Sequence, residues 1–169
     1  MTRLEVISGG QTGVDTAVLL AAEAFSLPIS GYVPKDYTNE MGAYGILTRF
    51  WPRFILTDTT ESARRTELNC RDADGILTLL RGEKTCTKVS KGTQHGIDYA
   101  RSIGKSESQL CCVDLGAVGL SDEAERVVDW LIEMKIKRCA IGGPRESEAP
   151  GIENEASAFL REVFKRLDL

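Results

Sequence analysis

The sequence predicts an α/β fold: a doubly wound, mostly parallel sheet with helices on both faces, built as a single domain over residues 1–169. Three observations lead there. Short apolar runs alternate with longer segments of helical periodicity along the whole chain. The first run ends on a glycine pair that opens directly into a helix, which is how a βαβ unit begins. With 42% hydrophobic and 27% charged residues, the 169-residue chain can fill one core and is too apolar to stay disordered.

Leu4 to Ser8 reads as the first strand, stopped by Gly9 and Gly10, and Asp15 to Phe25 as the helix after it. Ile29 to Val33 is a second strand, ended by Pro34 and followed by a polar loop from Lys35 to Gly45. Phe54 to Thr57 is a third strand. Ser62 to Asn69 is helical, with Thr60 or Ser62 as its N-cap. Gly75 to Leu80 forms the fourth strand, and Arg81 to Ser90 a charged loop. Thr93 to Ile103 is a helix that stops near Gly104, and Gln109 to Leu115 a fifth strand. From Ser121 to Met134 the apolar positions Val127, Val128, Leu131, Ile132 and Met134 lie largely on one helix face. Arg138 to Ile141 is the sixth strand, and a last helix follows Pro150 and Gly151. This is a Rossmann-like order.

Composition narrows the function. A formal net charge of -4 supplies no global field for nucleic acid. No apolar run approaches the roughly 20 residues that cross a bilayer, and the start of the chain lacks the pattern of a signal peptide. The expectation is a cytoplasmic protein that binds neither membrane nor nucleic acid. Cys70, Cys86, Cys111, Cys112 and Cys139 are odd in number and form no CxxC, so they read as buried strand thiols. His95 is the only histidine, and no metal site is expected.

Ligands of such sheets bind beyond the carboxyl ends of the strands, where the informative residues fall. Ser8-Gly9-Gly10-Gln11-Thr12-Gly13 joins the first strand to its helix, so free amides, side-chain donors and the helix dipole favour a phosphate there over a plain tight turn. It is neither a Walker A motif nor a strict GxGxxG. Gly92 and Thr93 precede a helix and suit a second anion, although Thr93 has the chemistry of a simple cap. Gly142-Gly143-Pro144-Arg145-Glu146-Ser147 offers an arginine clamp, or a surface loop with Arg145 paired to Glu146 or Glu148. Arg65 and Asn69 matter only if their helix end points into the crevice. No nucleophile–histidine–acid triad and no paired carboxylates assemble, so binding is clearer than catalysis.

Taken in order, Ile7 to Asp15, Gly31-Tyr32-Val33-Pro34, Arg65 to Cys70 with Asp74-Gly75, Gly92-Thr93 and Gly143 to Ser147 resemble the molybdenum carrier family, also called molybdenum cofactor carrier proteins. The resemblance spans nearly the whole chain, and GGQTGVD and GPRES are its specific parts. It implies a Rossmann-like fold related to the lysine-decarboxylase-like group. It also implies a homo-oligomer, often a tetramer, that binds and protects molybdenum cofactor (molybdopterin), a small anionic ligand with a terminal phosphate. By position, Gly9, Gly10, Gln11, Thr12 and Gly13 would form one anion loop, Gly92 and Thr93 a second, and Arg145, Glu146 and Ser147 would close the site, with Asn69 beside it. Lys91 stands where the family has glycine, and Gly96 where related phosphoribohydrolases carry glutamate. The competing readings are an enzyme that cleaves nucleoside monophosphates, with Glu146 or Asp15 as acid, and a nucleotide sensor without turnover. In both, another phosphorylated, nucleotide-like ligand replaces the cofactor.

Overall fold

A computed structural model of the chain describes residues 3–43, 45–82, 90–117 and 119–167. The strands β1 (Glu5–Ile7), β2 (Ile29–Val33), β5 (Phe54–Leu56), β6 (Gly75–Leu80), β7 (Leu110–Asp114) and β8 (Arg138–Gly142) form one sheet in the order β5-β2-β1-β8-β6-β7. Every pairing in it is parallel. The helices α1 (Val14–Ala24), α5 (Leu120–Glu133) and α6 (Ile152–Arg166) pack together and share one large apolar cluster. The helices α3 (Ser62–Asp72) and α4 (Lys91–Ser102) pack against each other, over a smaller cluster that includes Ile7, Ile76 and Ala140. Among the described residues, no helix is long and apolar enough to cross a membrane.

Strand β6 shows why the layers form. All six of its residues are buried. Leu77 and Leu79 join the large cluster and Ile76 the small one, the alternation that period-two side chains impose on a strand covered on both faces. On the other side, Phe25 and Phe164 meet edge to face with ring centroids 6.1 Å apart, which fixes the end of α6 against the end of α1.

Several boundaries differ from the sequence reading. Helix α4 begins two residues early, because Ser90 caps it by accepting the Thr93 N–H at 3.3 Å. Gly92 and Thr93 therefore lie inside its first turn rather than before it. Helix α3 runs on to Asp72, and its N-cap is Glu61 rather than Thr60 or Ser62. The polar loop after β2 contains a small antiparallel hairpin of β3 (Thr38–Asn39) and β4 (Gly42–Ala43), and a short helix α2 (Ile46–Arg49) follows. These pieces are too short to leave a periodic signal. Cys70 is buried on a helix rather than a strand, while Cys111 and Cys139 are buried on strands. Cys86 and most of the expected loop after Arg81 lie outside the described residues, as does Tyr44 in the earlier loop.

Two glycines let the turns close over the sheet. Gly13 has φ +70°, and a Cβ there would stand 2.5 Å from the Pro144 carbonyl oxygen. At Gly143 a Cβ would overlap the backbone of Leu79. The two glycine segments are thus packed against each other and against the end of β6. Gly143→Ala should cost about 2–4 kcal/mol of unfolding free energy in urea. Gly92→Ala should gain roughly 0.5 kcal/mol, since a Cβ there meets nothing within 4 Å and alanine favours the helix.

Candidate functional site

A cavity of about 400 Å³ opens between the sheet and helices α3 and α4. Its floor is apolar and includes Ile7, Ile76 and Ala140. Its walls carry Arg65, Asp15, Arg145, Lys91 and His95. Such a size and mixture suit a small organic ligand with a few fixed polar contacts.

Arg65 is the centre of this arrangement. Its helix places it over the turn after β1, with its side chain 9% exposed. One terminal nitrogen donates to the Gly9 carbonyl and stands 3.3 Å from Asp15 Oδ2. Its Nε is buried and, among the described residues, has no hydrogen-bond partner. Burial and the nearby charge of Arg145 both pull the Arg65 guanidinium pKa down, against the support of Asp15. Burial pushes the Asp15 carboxyl above the usual carboxylate range, opposed chiefly by Arg65. Among the described residues the Arg145 guanidinium pairs with no carboxylate; its backbone N–H donates to Glu148 at 3.0 Å. The cavity lining thus carries Arg65, Arg145 and Lys91 against the carboxyls of Asp15 and Glu148, a formal excess of positive charge.

The glycine turn after β1 is built differently from the expectation. Its amides are held by its own short polar side chains, as residues of this type tend to do. Gly10 N–H donates to Ser8 Oγ at 3.2 Å, Gln11 N–H to Asp15 Oδ2 at 3.1 Å and Thr12 N–H to Gln11 Oε1 at 3.1 Å. The Gly13 N–H faces the Glu153 carboxylate. Gly9 and Gln11 line the cavity, whereas Gly10, Thr12 and Gly13 do not. A Cβ on Gly10 would instead meet Leu47 and Val33, beneath α2.

Of the other expected site residues, Asn69, Gly92, Thr93 and Arg145 line the cavity. Asn69 is committed to structure. Its Oδ1 accepts the Tyr32 N–H at 2.7 Å and its Nδ2 donates to the Tyr32 carbonyl at 3.2 Å, so it takes the place of a strand neighbour that β1 does not supply there. Glu146 and Ser147 lie off the cavity. Glu146 accepts the Gly151 and Glu153 amides at the start of α6, which occupies the carboxylate considered as an acid. Ser147 and Thr12 both donate to Glu40 of the small hairpin, strapping it to the loop after β8. These bonds, against the pull of burial, hold the Glu40 carboxyl below its ordinary value. His95 bonds through Nε2 to Glu67 at 3.0 Å. Arg65 and Asp15 carry more of the site than the sequence reading assigned them. The available signal was Arg65 and Asn69 sharing one helix face four residues apart.

With this geometry in hand, a family model described as the circularly permutated YpsA SLOG family matches residues 6–164. The chain belongs to that family. Among solved structures it matches a "putative molybdenum carrier protein" from Syntrophus aciditrophicus SB, at 29% identity and a TM-score of 0.82, over 96% of this chain and 95% of that one. No curated protein matches it. The strand order of this SLOG chain carries the mark of the permutation. Counting from β8 as the first strand turns β5-β2-β1-β8-β6-β7 into the order 4-3-2-1-5-6, which is a doubly wound sheet with one reversal.

Glu153 supplies a check on the turn. Its carboxyl pKa is raised above the ordinary glutamate value by burial and by neighbouring Glu146. The folded state therefore favours its neutral form, and stability from this group is full below that value and lost as pH rises through the raised pKa. Glu153→Gln keeps an acceptor for Gly13 and should melt roughly 1–3 °C above wild type at pH 7. Thermal scans from pH 7 down to pH 4 should show that advantage shrinking.

Proposed function

We propose that this chain binds and shelters a phosphorylated heterocyclic small molecule of the molybdenum cofactor type, without turning it over. The observation that carries the reading is Arg65, buried with an unpaired Nε beside Arg145 in one cavity. An arginine held this way is matched by an oxyanion with several acceptor oxygens, such as a terminal phosphate. The donor set fits molybdopterin through its phosphate and its ring, with Arg65, Arg145 and the first turn of α4 toward the anion and the apolar floor toward the heterocycle. Family membership and the name of the similar structure point the same way. Cytoplasmic residence and assembly as a homo-oligomer complete the proposal.

A second reading has one observation in its favour. Asp15 lines the same cavity with a raised pKa, as a proton donor in N-glycoside cleavage would. One set of experiments separates the two. Anaerobic titration with molybdopterin should give saturable binding, and bound cofactor should keep its power to reconstitute a cofactor-free molybdoenzyme for longer than free cofactor. Arg145→Ala should weaken binding about tenfold or more while the melting temperature stays near wild type. Saturation without protection, or no binding at all, rejects the carrier. Free base released from AMP or GMP, and lost in Asp15→Asn, would establish the enzyme instead.

A further inference from the structure

Strand β6 reads Gly-Ile-Leu-Thr-Leu-Leu and is buried throughout. Its one polar side chain, Thr78, is 5% exposed. It lies on the same face as Ile76, and both line the cavity. In register it faces Gly142 on β8 and Cys112 on β7, so the neighbour on the cavity's side of the sheet has no side chain to cover it. Among the described residues the Thr78 hydroxyl has no hydrogen-bond partner. With no partner in the protein, the hydroxyl is open to whatever fills the cavity, and valine has the same branched shape and strand preference without a group to offer there.

We infer that Thr78 is a ligand contact, whose hydroxyl reads an uncharged polar group on the ring portion of the molecule held by Arg65 and Arg145. A hydroxyl both donates and accepts, so it matches a ring nitrogen, a carbonyl or an amino group. Thr78 adds no charge and distinguishes heterocycles with a polar edge from apolar rings of the same size. This inference rests on reading the cavity as the cargo site.

The test compares Thr78→Val and Thr78→Ser with wild type, using molybdopterin and inorganic phosphate as probes. Without ligand, Thr78→Val should melt within roughly 1–3 °C of wild type, because it breaks no hydrogen bond inside the protein. Its affinity for molybdopterin should fall roughly 5–20-fold, its affinity for phosphate should be unchanged, and Thr78→Ser should bind molybdopterin nearly as wild type does. A clear fall in the melting temperature of unliganded Thr78→Val overturns the inference, since the hydroxyl would then have a partner inside the protein. Unchanged molybdopterin affinity in Thr78→Val overturns it too. Wild type that binds phosphate but not molybdopterin rejects the cargo reading and, with it, the ring contact assigned to Thr78. Wild type that binds neither probe overturns both.

Discussion

The contact between Arg65 and Asp15 sets the terms for the rest of the molecule. It ties helix α3 to the turn between β1 and α1, with a further bond from Arg65 to the Gly9 carbonyl. One helical turn on, Asn69 fastens the same helix to the backbone of β2. Helix α3 is therefore held to the sheet by polar bonds at Arg65 and Asn69 as well as by the apolar cluster around Cys70, and the cavity lies beside these contacts. A buried ion pair is a poor source of stability, because desolvating each partner costs several kcal/mol. Here the pair is also unbalanced by Arg145 and leaves an Nε without a partner. An anion that pairs with both arginines relieves each of these costs at once.

The permuted chain order explains why this site draws on both ends of the sequence. β1 and β8 are neighbours in the sheet, paired from Glu5 with Arg138 to Ile7 with Ala140. Their following turns meet where Gly13 packs on Pro144. In a chain counted from β8, the two turns would follow the first and second strands. The join that such a chain requires would run from the end of α6 to the start of β1. Those segments already lie together: Arg3 donates to the Phe25 carbonyl, and Phe25 meets Phe164 edge to face. Permutation moves the ends of the chain without moving the groups at the cavity.

The order and type of the main elements were legible because six apolar runs and five longer helices each carry a strong period. The hairpin at Thr38–Ala43 and the helix at Ile46–Arg49 were not, since neither spans enough residues for a period to repeat. For the site, the two glycine segments were legible as places where backbone approaches backbone. Their chemical role was not. Whether an amide in a glycine turn faces solvent or a side chain depends on which rotamers Ser8, Gln11 and Asp15 adopt, and Asp15 reaches back to the Gln11 amide only once α1 is formed. Arg65 was obscured for a related reason. A charged residue in a polar helix usually faces water, and only the sheet order shows that this one faces inward.

The chemistry of the cavity also bears on how a molybdenum-bearing cargo would be held. Cysteine binds metal as a thiolate. Cys70 lines the cavity, but burial pushes its thiol up to about 11, so near neutral pH it stays protonated. Among the described residues, no group of three His, Cys, Asp or Glu side chains is placed to hold a metal ion. The one imidazole is engaged by Glu67. The groups suited to grip are cationic and hydrogen-bonding: Arg65, Arg145 and the first turn of α4. Retention by them would act on the organic part of the cargo and its phosphate. The molybdenum end would then keep its own ligands and remain free to be handed on, and salt would loosen the hold only modestly, because buried Arg65 is screened much less than an exposed cation.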